Sequence, residues 1–287
     1  MSIWTLVLAL VVPVASSLPA SLPATGIGAP QVYQLARPAV GAPTLKARAA
    51  TLIDTDTGTV LFQLDSHGRH APASLTKVVT ALVALDLMKL DQTVTVPVTI
   101  SQLPWDSTRM GLHPGERLTV RELLYGLFLN SGNDAAITLS EAVTPRAAFI
   151  EKMNARAAAL GMTDTRFTNP IGLDDRAHFT SASDLAKAAL DLRSRYPEVA
   201  AIAATPAIIL SATATHPAYR LYNLNQLIRT YAGATGLKTG WTGQAGGCLI
   251  ATATRAGRHL LVVVVGSPRV FEDASALLDY GFAVAAA

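Results

Sequence analysis

Three runs rich in β-branched residues fill the last third of the chain: Gly236 to Thr242, Gly247 to Thr254 and His259 to Gly266. The latter two are separated only by a turn at Ala256-Gly257. Connections this short imply antiparallel neighbours, because a parallel pair needs a crossover of a dozen or more residues. Two further runs, Ala49 to Asp54 and Val60 to Leu64, lie far upstream around Thr55-Asp56-Thr57-Gly58, where the glycine supplies a positive φ. The intervening stretch carries helical patterning. This order predicts an α+β, three-layer architecture: one five-stranded antiparallel sheet built from both chain ends, with helices packed on both faces.

The helical middle opens at Pro72-Ala73-Ser74-Leu75-Thr76-Lys77, followed by the apolar run Val78 to Leu85. That pattern predicts a helix from Ser74 to about Leu90. Val94 to Ile100, rich in Thr and Val, reads as a strand. Thr119 with Glu122 spells a capping box for a helix to Leu129. Further helices are expected from Asp134 to about Ala142, from Pro145 to a stop at Gly161, and from Ser181 to about Arg195. Phe271 to Phe282 reads as a closing helix.

Half of the 287 residues are hydrophobic and 15% are charged, which fits a globular chain and excludes a disordered one. The net charge is only +3, and Lys and Arg are scattered, so a nucleic-acid partner is excluded. An apolar run from Ile3 to about Val14 is followed by Ala15-Ser16-Ser17, although no Lys or Arg precedes it. Residues 1–17 read as a signal peptide, residues 18–45 as a Pro/Ala/Gly-rich linker, and 46–284 as one catalytic domain. The expected location is extracytoplasmic, in a periplasm or at a cell surface. After Phe282 the chain carries mainly Ala and Val, with no C-terminal membrane anchor seen. Cys248 is the single cysteine and reads as a buried apolar residue. His67 and His70 lack a third ligand at metal-binding spacing, so no metal or other cofactor is expected.

Three short motifs carry chemistry. Ser74 and Lys77 stand three residues apart, one turn along a helix, as a hydroxyl nucleophile and an amine base would. Ser131-Gly132-Asn133 falls between two helices, where a tight turn can aim both polar side chains into one cleft. Taken alone, that triplet is equally an ordinary capping Ser and Asn. Lys238-Thr239-Gly240 lies on the first late strand, where alternation sends Lys238 and Gly240 to one face and leaves room at Gly240 for a close backbone approach.

S-x-x-K, S-x-N and K-T-G in this order match the signature of penicillin-binding proteins and class A β-lactamases. Residues 46–284 resemble the serine-type D-alanyl-D-alanine carboxypeptidases, the low-molecular-mass penicillin-binding proteins. The likeness extends to Ser131-Gly132-Asn133-Asp134-Ala135-Ala136, the Asn169-Pro170-Ile171-Gly172-Leu173 loop, His178 to Asp184, and Ala245-Gly246. It implies the β-lactamase/transpeptidase-like fold, with Ser74 as nucleophile, Lys77 as base and Ser131 as proton relay. Asn133 would hold the substrate amide or the Lys77 ammonium. Lys238 and Thr239 would bind the terminal carboxylate beside Gly240. The backbone N–H groups of Ser74 and Trp241 would form the oxyanion hole. Trp241 stands where relatives often have a smaller or imidazole side chain, which bears on substrate preference. The implied partners are the peptidoglycan stem peptide and, as acylating inhibitors, β-lactam antibiotics; no obligate protein partner is evident. Alternatives that share the motifs are a DD-endopeptidase and a class A-like β-lactamase. The latter needs a loop glutamate, where this chain has Asp174 and Asp175. His178 reads either as a cleft residue or as a structural hydrogen-bond partner.

Overall fold

The computed structural model describes residues 41–284; the expected signal peptide and all but the last few residues of the expected linker lie outside them. Strands β1 (Ala49–Asp54) and β2 (Val60–Leu64) form the upstream hairpin. The late strands are β7 (Ala234–Thr242), β8 (Gly246–Arg255) and β9 (Arg258–Ser267). β8 and β9 are joined through Ala256 and Gly257 at φ of 48° and 77°, the left-handed pair that a tight hairpin requires. The sheet order is β2-β1-β9-β8-β7, and every neighbouring pair is antiparallel. The upstream hairpin and the late strands thus join in one sheet at the β1–β9 pairing, as expected.

β9 shows why the fold has three layers. Its run is apolar on both faces: Leu261, Val263 and Val265 join the larger core, while Leu260, Val262 and Val264 join the smaller one. The smaller core is closed by the C-terminal helix α8 (Val270–Val284) through Ala274, Leu277 and Leu278. The larger core holds α1 (Lys77–Leu87), α2 (Val120–Leu129), α3 (Asn133–Glu141), α4 (Arg146–Ala159), α5 (Ala182–Arg195) and α6 (Pro197–Ala204). α1 is buried from Lys77 to Leu85 on every side, as a helix apolar all round must be.

Capping chemistry sets several boundaries. Thr119 and Glu122 form the full capping box at the start of α2, and the Ser181 hydroxyl accepts the Asp184 N–H at the start of α5. Elsewhere the structure corrects the sequence reading. Ala73–Thr76 form a single 3-10 turn ahead of α1, and α1 ends at Leu87, before Leu90. The strand expected over Val94 to Ile100 shrinks to β3 (Thr93–Thr95), which pairs with β4 (Arg117–Thr119), because Pro97 cannot continue a ladder and a 3-10 turn follows. Five elements have no counterpart in the sequence reading: β4; α6, which Pro197 opens directly after α5; β5 (Ala207–Leu210) and β6 (Tyr219–Tyr222), which form a hairpin; and the one-turn α7 (Leu227–Thr230). Among the described residues no helix is long and apolar enough to cross a membrane.

Candidate active site

Ser74 sits in the 3-10 turn at the foot of α1, next to Ala73 at φ 48°. Lys77, the first residue of α1, is fully buried; its Nζ lies 2.6 Å from Ser74 Oγ and donates to the Ile171 carbonyl at 2.9 Å. Desolvation pulls the Lys77 amine well below its ordinary pKa, the nearby Lys238 cation adds to this, and Asp134 opposes it.

Ser131 also takes a left-handed conformation, at φ 55°, between α2 and α3. Non-glycine residues there cost on the order of 1–3 kcal/mol and persist only where surroundings hold them. Here the Asp134 carboxylate accepts the N–H groups of Met110, Gly111 and Leu112, and the Thr108 hydroxyl donates to the Ser131 carbonyl. These bonds staple the 103–112 loop to the Ser-Gly-Asn turn. Ser131 Oγ accepts from Lys238 Nζ at 2.8 Å. Lys238 is fully buried on β7, where desolvation pushes its amine down to about 7.

Gly240, two residues on, faces the turn that carries Ser74: a Cβ there would lie 3.0 Å from the Ser74 nitrogen and 3.2 Å from the Ala73 Cβ. Thr239 nevertheless lines the same cleft, since β7 is the sheet edge. The cleft divides at Ser74. One arm, about 320 Å³, is lined by Ser131, Thr239 and Gly240. The other, about 460 Å³, is lined by Asn133, Ser107, Gly172 and Asp174. Trp241, 73% exposed, edges both. Of the eight residues singled out, Ser74, Ser131, Asn133, Thr239, Gly240 and Trp241 line the cleft, while Lys77 and Lys238 are buried beneath it, each against one of its serines.

Of the two contacts implied for Asn133, the one to the Lys77 ammonium is not made. Its Nδ2 donates to Ser107 Oγ at 2.5 Å rather than meeting Lys77, and among the described residues its buried Oδ1 has no partner. His178 does not line the cleft; it is buried behind it, in the structural role. Sequence reasoning also missed Ser107, Thr108 and the Ile171 carbonyl. A carbonyl has no sequence signature, and the two hydroxyls belong to no motif. Asp174 accepts from Thr242 Oγ1 at 2.6 Å and from the Gln244 N–H at 3.2 Å, tying the loop to the end of β7. Burial pushes the Cys248 thiol up to about 11, which suits its apolar role. His67 and His70 pair with different carboxylates, Asp164 and Asp65.

A buried amine against a serine hydroxyl, a second buried amine against another serine, and a glycine-edged strand suit acyl transfer through a serine. The sequence profile described as D-alanyl-D-alanine carboxypeptidase matches residues 36–269. The chain is 36% identical over 244 residues to the D-alanyl-D-alanine carboxypeptidase DacF of Bacillus subtilis, covering 83% of this chain and 62% of that relative. It is 37% identical over 261 residues to DacB2 of Mycobacterium tuberculosis, covering 86% and 87%. Among solved structures, a Streptomyces DD-transpeptidase superposes with a TM-score of 0.77 at 31% identity, covering 85% of this chain and all of that one. A Mycobacterium tuberculosis D-alanyl-D-alanine carboxypeptidase superposes at 0.78 with 36% identity, covering 86% and 96%. The profile spans most of the chain, and the serine–lysine cleft lies within it: the chain belongs to the D-alanyl-D-alanine carboxypeptidase family.

Proposed function

We propose that residues 46–284 form a serine-type D-Ala-D-Ala carboxypeptidase domain, which removes the terminal D-alanine from peptidoglycan stem peptides through an acyl-enzyme on Ser74. The observation that carries this reading is the 2.6 Å contact between Ser74 Oγ and the buried Nζ of Lys77. A lysine amine acts as a base only when neutral, and its burial favours that form.

In this mechanism neutral Lys77 takes the hydroxyl proton as Ser74 Oγ attacks the carbonyl of the penultimate D-alanine. The tetrahedral oxyanion is received by the Ser74 and Trp241 N–H groups; each such donor is worth about 3–4 kcal/mol in comparable enzymes. The C–N bond then breaks, and Ser131 relays the proton held by Lys77 to the departing D-alanine amine, which leaves Lys77 neutral again. Lys238 and Thr239 hold the terminal carboxylate, by charge and by hydrogen bond, which makes a free C-terminus the recognition handle. Asn133 presents its amide to the acyl side. Water finally hydrolyses the ester. A β-lactam acylates Ser74 in the same way but is released slowly, because residues 165–180 contain no glutamate to drive deacylation. The substrate lies outside the cytoplasm, and the apolar run Ile3 to Val14 followed by small residues supports export.

The test measures D-alanine release from a pentapeptide alongside labelling by a fluorescent penicillin. Wild type is expected to release D-alanine and to take up label, whereas Ser74→Ala does neither. Label that survives the substitution would remove Ser74 from its role. Rapid repeated turnover of nitrocefin, in place of a single slow burst, would favour a β-lactamase.

A further inference from the structure

The segment from Thr168 to Thr180 bears on α1 and on the turn before it that carries Ser74. Pro170 O accepts from Thr80 Oγ1 at 2.6 Å, Ile171 O accepts from Lys77 Nζ at 2.9 Å, and Gly172 abuts the Ala73 carbonyl. A further contact starts at His178, which the mechanism above does not use and which is 2% exposed. Its Nδ1 accepts the Thr168 backbone N–H at 2.9 Å. A backbone N–H can only donate, so the neutral ring carries its proton on Nε2. That Nε2–H donates to Thr76 Oγ1 at 2.9 Å, and the Thr76 hydroxyl donates in turn to the Ala73 carbonyl at 2.9 Å. Phe167 meets the imidazole edge-on at 5.6 Å and fixes the ring plane. Burial holds the ring neutral, with its pKa pushed down to about 4.

The Ala73 carbonyl and the Ser74 N–H belong to one planar trans peptide, so they point in opposite directions. Ala73 itself sits at φ 48°, where backbone preference alone does not hold a non-glycine residue. Fixing the carbonyl on one side therefore fixes the N–H on the other. We propose that His178 is a positioning residue for acylation: through the Thr76 hydroxyl it holds the Ala73 carbonyl and thereby aims the Ser74 N–H at the developing oxyanion. This rests on the reading of Ser74 as nucleophile.

Glutamine can bring a side-chain N–H to where Nε2–H stands, whereas asparagine can bring a carbonyl to where Nδ1 stands. His178→Gln thus keeps the link to Thr76 and loses the one to Thr168, and His178→Asn does the reverse. Second-order acylation by a fluorescent penicillin reads the difference, with melting temperature measured in parallel. His178→Asn and Thr76→Val are expected to slow acylation about tenfold or more, below the 10²–10³ cost of deleting an oxyanion donor. His178→Gln should stay within about threefold of wild type, and the two His178 variants should melt within about 3 °C of each other. Combining Thr76→Val with His178→Asn should add little, because both break one chain. Equal rates in the two His178 variants, or a multiplicative loss in the double variant, would overturn the proposal. If neither His178 variant folds, Thr76→Val decides alone, and a rate within about twofold of wild type overturns it. Absence of label on the wild type would instead sink the nucleophile reading.

Discussion

Lys77 and Lys238 are both wholly buried, and each touches a serine hydroxyl, yet the roles proposed for them require opposite charge states. Lys77 must be neutral to accept the Ser74 proton, so activity rises as pH climbs through its lowered pKa. Lys238 must be a cation to hold the substrate carboxylate, and its pKa of about 7 means that this charge is lost as pH rises past neutrality. A bound carboxylate favours the ammonium and raises that pKa. The pH profile of kcat/KM on a D-Ala-D-Ala peptide, which reports the free enzyme, should therefore fall near pH 7, while the falling limb of kcat lies higher. A kcat/KM that stays flat to pH 9 would count against Lys238 as the carboxylate partner.

At the scale of elements, the turn that carries Ser74 is clamped between β7 and the loop from Thr168 to Thr180, and Gly240 and Gly172 set the clearance. At Gly172, with φ +87°, a Cβ would fall 1.9 Å from the Ala73 carbonyl oxygen. Gly172→Ala must therefore move backbone and is expected to cost more than about 2 kcal/mol, or roughly 4–8 °C of melting temperature in a domain this size. Gly58 has a similar φ of +73° but open space around it, so Gly58→Ala should cost only the left-handed conformation, about 1 kcal/mol. Thermal unfolding of the pair separates clash from strain. Penicillin acylation should drop only in Gly172→Ala, since Gly58 lies in the distant β1–β2 hairpin.

For the molecule as a whole, burying two amines makes stability depend on pH. In the unfolded chain both lysines hold their protons to about 10.5, whereas in the fold Lys238 loses its proton near 7 and Lys77 well below its ordinary value. The unfolded state then binds more protons, so stability rises with pH above 7, by at most about 1.4 kcal/mol per pH unit for each lysine. The trend reverses at higher pH. Burial raises the Cys248 thiol to about 11 and Tyr196 to about 12, so there the folded state retains protons that the unfolded chain gives up. Urea unfolding should give a higher midpoint at pH 9 than at pH 7. Lys238→Met should remove about half of the rise, and an unchanged slope would contradict the burial argument.

Much of this was legible in the amino-acid sequence because it is written in local chemistry. Hairpin turns, the Thr119–Glu122 box, the apolar length of α1 and the spacing of Ser74, Lys77, Ser131, Asn133 and Lys238 each follow from residues near one another. These determined the antiparallel sheet built from both ends and the polar groups that meet in the cleft. Pro97 was also in plain view, but its effect on β3 was outweighed by the Thr and Val around it. The short β5–β6 hairpin carried no turn signal strong enough to read. Tertiary structure alone decided that Asn133 bonds Ser107 and leaves Lys77 to the Ile171 carbonyl, and that His178 reaches the turn that carries Ser74 through Thr76. It also decided that Lys77 and Lys238 are dry enough to lose their protons. The physical reason is desolvation: a lysine's charge state depends on which distant segments exclude water around it, and no spacing between neighbours along the chain encodes that.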